Sequence, residues 1–178
     1  MKHVILNLAV FKAAWTAVVI SAAAGAPVIG AIAVALAVGI HLWSCDNPEA
    51  EIRLLLVAAA MGFAWESALV LAGLLEYPSG NWIPGLAPFW IVAMWILFAT
   101  TLNVGMQWLR RNTAVATIAG AVGGPLAFFA GASVGAVELV SPAIALVCIG
   151  IGWAVLLPLL VKVAIRLDGT HRLVEQSA

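Results

Sequence analysis

The sequence predicts an all-α polytopic membrane helix bundle of six transmembrane helices. Hydrophobic residues make up 65% of its 178 residues and charged residues 9%, whereas soluble domains average about 45–50% apolar and about 25% charged residues. Ten-residue stretches of alternating polarity, which are typical of outer-membrane barrels, do not occur in the sequence. Because hydrocarbon satisfies no backbone hydrogen bond, α-helices are the remaining way to span a membrane.

The chain contains six apolar runs, and each reaches or approaches the ~20 residues that a helical span needs. We assign the whole chain, residues 1–178, to a single membrane domain. The connection "AAAGAP" between the first two runs is so short that it predicts an antiparallel hairpin, and Pro27 suits the first turn of the second helix. The predicted spans are residues 4–24, 27–44, 52–75, 87–108, 113–136 and 141–166.

The basic residues predict the orientation of the bundle. With six spans, all 8 lysines and arginines lie on or toward one side, and the opposite loops carry only Glu76 and Glu138. The positive-inside rule then places both termini in the cytoplasm. The basic residues are Lys2, Lys12, Arg53, Arg110, Arg111, Lys162, Arg166 and Arg172.

Several classes of function are disfavoured by the composition. The net charge is zero and no basic block occurs, so we do not expect a nucleic-acid partner. No HExxH, GxSxG or phosphate-loop motif is present, so no catalytic residue is assigned, no cofactor is predicted, and an enzyme is the least favoured class. Cys45 and Cys148 fall at opposite faces, without metal-ligand spacing, so no metal site is predicted.

Glu66 is the residue that most needs a functional explanation. It stands in the apolar run "GFAWESALVLAGLL", about 20 Å along its helix from Arg53, which is too deep for its side chain to reach water. Small residues share its helical face, so we expect it to point into the bundle, where an ionisable group is a functional hypothesis. Lys12 on the first span either pairs with Glu66, bends back toward the cytoplasm, or lines a polar cavity.

Further polar side chains cluster in the predicted cytoplasmic half of the membrane. Thr100 and Asn103 belong to the fourth span, and His41 lies near the inner end of the second. Together with Glu66 at the deep end, they predict a vestibule open to the cytoplasm. The alternative is a set of interhelical hydrogen bonds that only hold the bundle together.

The fifth span carries small residues along one face, which allow close packing of membrane helices. Packing within the chain is the favoured interpretation, and a homodimer seam is the alternative. Pro125 in the same span predicts a kink or local break that frees a carbonyl near Ala121. The glycines of this face are Gly120, Gly124, Gly131 and Gly135. The outer segment "EYPSGNWIPGLAP" predicts an ordered turn or a short re-entrant cap.

The stretches "FATTLNVGMQWL" and "GAVGGPLAFFAGASVGA", with their flanking spans, resemble a bacterial integral-membrane family filed as domain of unknown function 2878. The resemblance covers nearly the whole chain. It implies a bacterial inner-membrane location and, through neighbouring genes similar to cyclopropane-fatty-acid synthases and flavin amine oxidases, work on membrane lipids. No family site residue carries over, and Lys12 departs from the neutral polar residue more usual there.

Three hypotheses of function follow. The first is a protein that binds or presents a membrane lipid or amphiphile, with lipid-modifying enzymes as partners. The second is a proton-coupled transporter of a small molecule or lipid that uses Glu66. The third is a structural or assembly partner in a membrane complex, and a homo-oligomer is compatible with each hypothesis.

Overall fold

The computed structural model describes residues 2–170 and confirms the all-α class. Six α-helices form a bundle in this part of the chain, together with one short 3₁₀ helix, Gln107–Arg111, and two strands of two residues each. The helices are α1 Lys2–Ala23, α2 Pro27–Ser44, α3 Pro48–Leu71, α4 Phe89–Ala99, α5 Thr113–Ser133 and α6 Pro142–Arg166, and the strands are β1 Leu75–Glu76 and β2 Glu138–Leu139.

Five of the helices in the described range are long and apolar enough to cross a membrane, and α4 is the exception. The chain is therefore a multi-pass membrane protein. Pro27 opens α2 at its first residue, as predicted, and Pro48 and Pro142 open α3 and α6 in the same way. Asn47 caps α3 by accepting a hydrogen bond from Ala50 N at 3.2 Å.

The fourth predicted span, residues 87–108, is helical only in its first half. α4 ends at Ala99, and the hydroxyls of Thr100 and Thr101 donate to the carbonyls of Leu97 and Phe98 at 2.7 and 2.6 Å. Such side-chain bonds to the backbone compete with the helical ladder. Tight turns and the 3₁₀ helix then carry the chain to the far end of the bundle.

The bundle is built from two hairpins on either side of a central pair. α1 packs on α2, α5 packs on α6, and α3 packs on both α4 and α6. α4 also contacts α1 and α2, so it lies near the centre. The loop after α3 and the loop after α5 meet in an antiparallel pairing of β1 and β2, with Leu75 opposite Leu139.

The two ends of the bundle differ in character. The β1–β2 sheet closes one end, whereas Arg53, Arg110 and Arg166 belong to segments that meet at the other end. This arrangement gathers basic residues at one end, as the six-span arrangement requires. The assignment of that end to the cytoplasm stays a prediction from the positive-inside rule.

Two glycines of the predicted small-residue face of α5, Gly120 and Gly124, pack against α6. A Cβ at Gly120 would collide with the Trp153 carbonyl, and one at Gly124 would collide with the Trp153 ring. Gly131 is also buried and lies near Val137, whereas Gly135 follows the helix in a turn with φ +84°. Both Gly120 and Gly124 are therefore used in the contact between α5 and α6.

Of the kink or local break predicted at Pro125, the break does not occur, because α5 continues through this residue as one helix, and the kink stays a prediction. The carbonyl of Ala121, four residues earlier, would lie 3.1 Å from a Cβ at Gly150 of α6. Gly150 thus lets the two helices approach closely where the proline ring has removed the usual hydrogen-bond donor.

Candidate functional site

Glu66 lies on α3 and is fully buried, with 0% of its surface exposed. One carboxyl oxygen, Oε1, accepts a hydrogen bond from Trp95 Nε1 at 2.9 Å. The other, Oε2, accepts one from the Tyr77 hydroxyl, also at 2.9 Å. Within residues 2–170 no ion pair involves Glu66, so two neutral donors hold this carboxyl.

Tyr77 reaches Glu66 because the loop after α3 folds back into the bundle. Ser79 Oγ donates to the Ala22 carbonyl of α1 at 2.8 Å, and Trp90 Nε1 donates to the Ser79 carbonyl at 2.9 Å. The rings of Tyr77 and Trp90 meet edge to face with centroids 5.4 Å apart. Gly80, at φ +78°, leaves room for the Trp90 ring. The loop is ordered, as predicted, and it delivers a donor to the buried acid.

Trp95 reaches Glu66 because α3 carries a glycine where the indole packs. A Cβ at Gly62 would collide with the Trp95 ring. The other face of this ring stacks on Trp153, with centroids 4.6 Å apart and planes at 23°. Trp153 in turn packs on Gly124. Glycines on α3 and α5 thus hold two stacked indoles beside the carboxyl.

These groups border a cavity of about 510 Å³, which we call the central cavity. It lies between α1 and the α5–α6 hairpin, with α4 and Glu66 also contributing to its wall. Leu126 on its border is 61% exposed, so the border includes the surface that faces hydrocarbon in a membrane. The wall is mostly apolar and aromatic and includes Phe11, Trp15, Trp95, Phe98, Phe128 and Trp153.

Two polar groups of this wall bear on its chemistry. Trp153 Nε1 is buried, and the described residues offer it no hydrogen-bond acceptor. Lys12 also lines the central cavity, but its ammonium lies over the Trp15 ring, 4.5 Å from the ring centroid. Lys12 and Glu66 therefore border the same space without forming an ion pair.

The other predicted polar site residues, Thr100, Asn103 and His41, lie outside the central cavity, whereas Gly124 and Gly131 line it. The Thr100 hydroxyl bonds to the Leu97 carbonyl, and the Thr100 carbonyl accepts from Asn7 Nδ2 at 3.0 Å. Asn103 and His41 contact Glu51 at the end of the bundle where α3 begins. The predicted single vestibule is thus divided into two separate polar centres, one around Glu66 and one around Glu51.

The second centre, which we call the Glu51 network, joins four segments of the chain. Glu51 is fully buried, and its Oε2 lies 2.9 Å from His41 Nε2 of α2. Its Oε1 accepts hydrogen bonds from Asn103 Nδ2 at 2.6 Å and from Gly169 N at 3.0 Å. Glu51 also lies in the first turn of α3, where the helix dipole favours an acidic side chain.

An ion pair extends the Glu51 network toward the basic end. Arg110 Nη1 lies 2.7 Å from Asp168 Oδ2, and Arg110 Nη2 also donates to the Asn103 side chain. Thr170 donates to Asp168 Oδ1 through both its backbone N and its hydroxyl, at 2.9 and 2.8 Å. Burial alone would raise the pKa of Asp168, but the hydrogen bonds from Arg110 and Thr170 lower it below its ordinary value.

Sequence reasoning missed Tyr77, Trp95, Glu51 and Asp168. One signal was available for Glu51, because it shares a helical face with buried residues such as Leu54 and Ala58. No pattern in the sequence indicates that Tyr77 returns to α3, since that contact depends on how the loop folds. Asp168 likewise finds Arg110 only through the fold.

A comparison with protein-family models matches residues 4–159 of the chain to a protein of unknown function, DUF2878. The chain belongs to the DUF2878 family. No curated protein and no solved structure matches it. The family assignment leaves the activity of the chain to be inferred from the site.

Proposed function

We propose that this DUF2878 protein binds a small amphiphile in the central cavity, with the polar end of the ligand near Glu66. The observation that carries the proposal is a fully buried carboxyl in the wall of an otherwise apolar and aromatic cavity. Its volume, about 510 Å³, falls within the about 300–1,000 Å³ of typical small-molecule sites. Such sites combine apolar walls with a few convergent polar groups.

The polar groups support a particular class of ligand. Glu66 has two neutral donors and no cationic partner in the described chain, so a hydroxyl or an amine suits it better than a second carboxylate. Trp153 Nε1 offers one more hydrogen bond to an oxygen of the ligand. We therefore propose a long-chain alcohol or amine, or a lipid with such an end group.

Access from the bilayer fits this class of ligand. The cavity borders α1 and α5, whose outer surfaces expose large apolar side chains such as Ile20 and Phe129. An amphiphile in the acyl-chain region can then enter between these helices without crossing water. The proposed setting is a bacterial inner membrane, with lipid-modifying enzymes as partners that receive the bound molecule.

Matched ligands test the proposal on the full-length protein in phospholipid nanodiscs. Equilibrium binding of radiolabelled 1-dodecanol, dodecylamine and dodecanoate is measured at neutral pH. We expect saturable binding of the alcohol and the amine, and at least about tenfold weaker binding of the carboxylate because it meets Glu66. Equal, non-saturable partitioning of all three ligands would refute a specific site.

Variants locate the site. Glu66→Gln should weaken amine binding by at least about tenfold, since a charged hydrogen bond is lost, and should change alcohol binding much less. Glu138→Gln is the matched control because Glu138 is exposed on β2, and it should bind all three ligands like the wild type. An unchanged amine affinity in Glu66→Gln would contradict the assigned role.

A second candidate is proton-coupled movement of the same ligand. One observation favours it: Tyr77 and Trp95 are neutral partners, so Glu66 can gain or lose a proton without breaking an ion pair. Proteoliposomes containing a pH-sensitive dye test this function. Ligand addition should acidify or alkalise the interior with wild-type protein and not with Glu66→Gln, and an equal signal from both would exclude this candidate.

A further inference from the structure

A cluster of three potential metal ligands lies in the Glu51 network, apart from the central cavity. It consists of His41 Nε2, Cys45 Sγ and a carboxyl oxygen of Glu51, all within 4.8 Å of one another. His41 and Cys45 are four residues apart at the end of α2, so their side chains share one face. Glu51 comes from the first turn of α3, directly across the connecting loop.

We propose that His41, Cys45 and Glu51 bind one Zn²⁺ ion. Imidazole nitrogen, thiolate sulfur and carboxylate oxygen are the three ligand types that zinc takes in proteins. A thiolate among the ligands favours zinc over magnesium or calcium, which prefer oxygen. The proposal is independent of the central cavity and of the function proposed for it.

The distances between the ligand atoms fit this ion. Sγ of Cys45 lies 3.7 Å from Nε2 of His41, and Nε2 lies 2.9 Å from Oε2 of Glu51. A tetrahedral zinc ion with ordinary bond lengths needs separations of about 3.6 Å between sulfur and nitrogen and about 3.3 Å between nitrogen and oxygen. The histidine–glutamate pair has to open by about 0.4 Å. The Cys45 sulfur and the Glu51 oxygen lie within 4.8 Å of each other, and the same bond lengths require about 3.6 Å between them.

Hydrogen bonds from neighbouring residues hold the Glu51 carboxylate in place. The oxygen of Glu51 that does not face His41 is fixed by Asn103 Nδ2 and Gly169 N. Such outer hydrogen bonds orient a ligating carboxylate and strengthen metal binding. The site therefore has pre-positioned support from the 100–106 turns and from the chain after α6.

The Cys45 thiol is positioned to exchange a hydrogen bond for a metal bond. Its sulfur donates to the His41 carbonyl at 3.1 Å. A bound divalent ion replaces this hydrogen bond, because a coordinating thiol loses its proton to solvent when the metal–sulfur bond forms.

Metal titration of tag-free, full-length protein tests the proposal. Protein stripped with a chelator is titrated with Co²⁺, whose bond to a thiolate gives a sulfur-to-metal charge-transfer band, and then with Zn²⁺. We expect one ion per chain, a thiolate band with Co²⁺, and loss of that band when Zn²⁺ replaces it. Absence of stoichiometric Zn²⁺ binding, or binding of Co²⁺ without a thiolate band, overturns the proposal.

Cysteine variants provide the matched control. Cys45→Ser should abolish the thiolate band and weaken Zn²⁺ binding by more than the about 10–100-fold that loss of an outer hydrogen bond costs. Cys148→Ser removes a cysteine in α6, far along the chain from the cluster, and should behave like the wild type. A band that survives Cys45→Ser or disappears in Cys148→Ser places the ion elsewhere and overturns the assignment.

Discussion

Two buried carboxyls on the same helix, Glu51 and Glu66, are treated by the fold in opposite ways. Both are 0% exposed. Glu51 accepts from Asn103 and Gly169 and contacts His41, so it ties together segments that are distant in sequence. Glu66 has two neutral aromatic donors and borders the central cavity.

The difference in their partners assigns Glu51 a role in stability and Glu66 a role in ligand binding. A carboxyl that joins α2, α3 and the chain after α6 should hold the bundle together, because its removal leaves several buried donors without an acceptor. A carboxyl beside a cavity can be exchanged for a close analogue with less loss of stability, while its chemistry toward a ligand changes. Burial alone does not distinguish the two roles, whereas the partners do.

The largest expected effect comes from removing Glu51. Glu51→Leu leaves the Asn103 and Gly169 donors without an acceptor in the protein interior and removes the contact with His41. Each buried donor left unsatisfied costs about 1–3 kcal/mol. We expect a correspondingly lower free energy of unfolding, measured by reversible denaturation in detergent micelles. Glu66→Gln should destabilise the protein much less.

The matched control for Glu51→Leu is Glu49→Leu. Glu49 lies on the same helix turn, but its side chain is 75% exposed and pairs with Arg53 on the surface. Exposed ion pairs contribute little to stability, so this variant should unfold like the wild type. If Glu49→Leu and Glu51→Leu were equally destabilised, the Glu51 network would have no special role in stability.

The stacked indoles beside Glu66 can be tested by two adjacent glycines of α5. Gly124→Ala places a Cβ into the Trp153 ring, whereas the Cβ of Gly123→Ala meets no atom within 4 Å. Overpacking costs about 1–3 kcal/mol, while alanine in an open helical position gains up to about 1 kcal/mol over glycine. The two variants should therefore shift the free energy of unfolding in opposite directions.

The same two variants can also be compared by their ligand binding. Because Trp153 stacks on Trp95, which donates to Glu66, Gly124→Ala should also weaken amphiphile binding in nanodiscs. Gly123→Ala should change the binding affinity by no more than about twofold, since one methyl group is small compared with the volume of a typical small-molecule site. Identical binding by both variants would show that the indole stack does not shape the central cavity.

The sequence predicted the spans better than the contacts between them. The apolar runs and the start of α2 at Pro27 depend on local chemistry, so the helices other than α4 appear close to their predicted bounds. The break after Ala99 was missed because Thr100 and Thr101 satisfy the backbone through their own hydroxyls, although each is a common residue in membrane helices.

The candidate site was predicted only in part for a related reason. Glu66 stood out because a carboxyl within an apolar run has no local explanation. Its partners Tyr77 and Trp95 lie 11 and 29 residues away in sequence, and no periodicity connects them to it. Glu51 was overlooked because an acid in the first turn of a helix already has a local explanation in the helix dipole.

The smallest expected effect concerns the pH dependence of the Arg110–Asp168 pair in the Glu51 network. The pKa of Asp168 is lowered in the folded protein, so the folded state binds this proton less readily than the unfolded state does. The stabilisation is present above the ordinary carboxyl pKa and is lost as the pH falls through the lowered one. Below the ordinary carboxyl pKa, the wild type should therefore lose more stability than Asp168→Asn, which lacks the titrating group.

Denaturation at neutral pH and at progressively lower pH, in a detergent without ionisable groups, measures this difference. Near neutrality Asp168→Asn should be the less stable protein, because Arg110 loses a charged partner at 2.7 Å. The gap should narrow as Asp168 is protonated in the wild type. Asp46→Asn is a second variant, which removes one negative charge nearby. If the stability difference between the wild type and Asp46→Asn narrowed in the same way at low pH, the effect would come from general charge at this end of the bundle, and the specific role of Asp168 would be refuted.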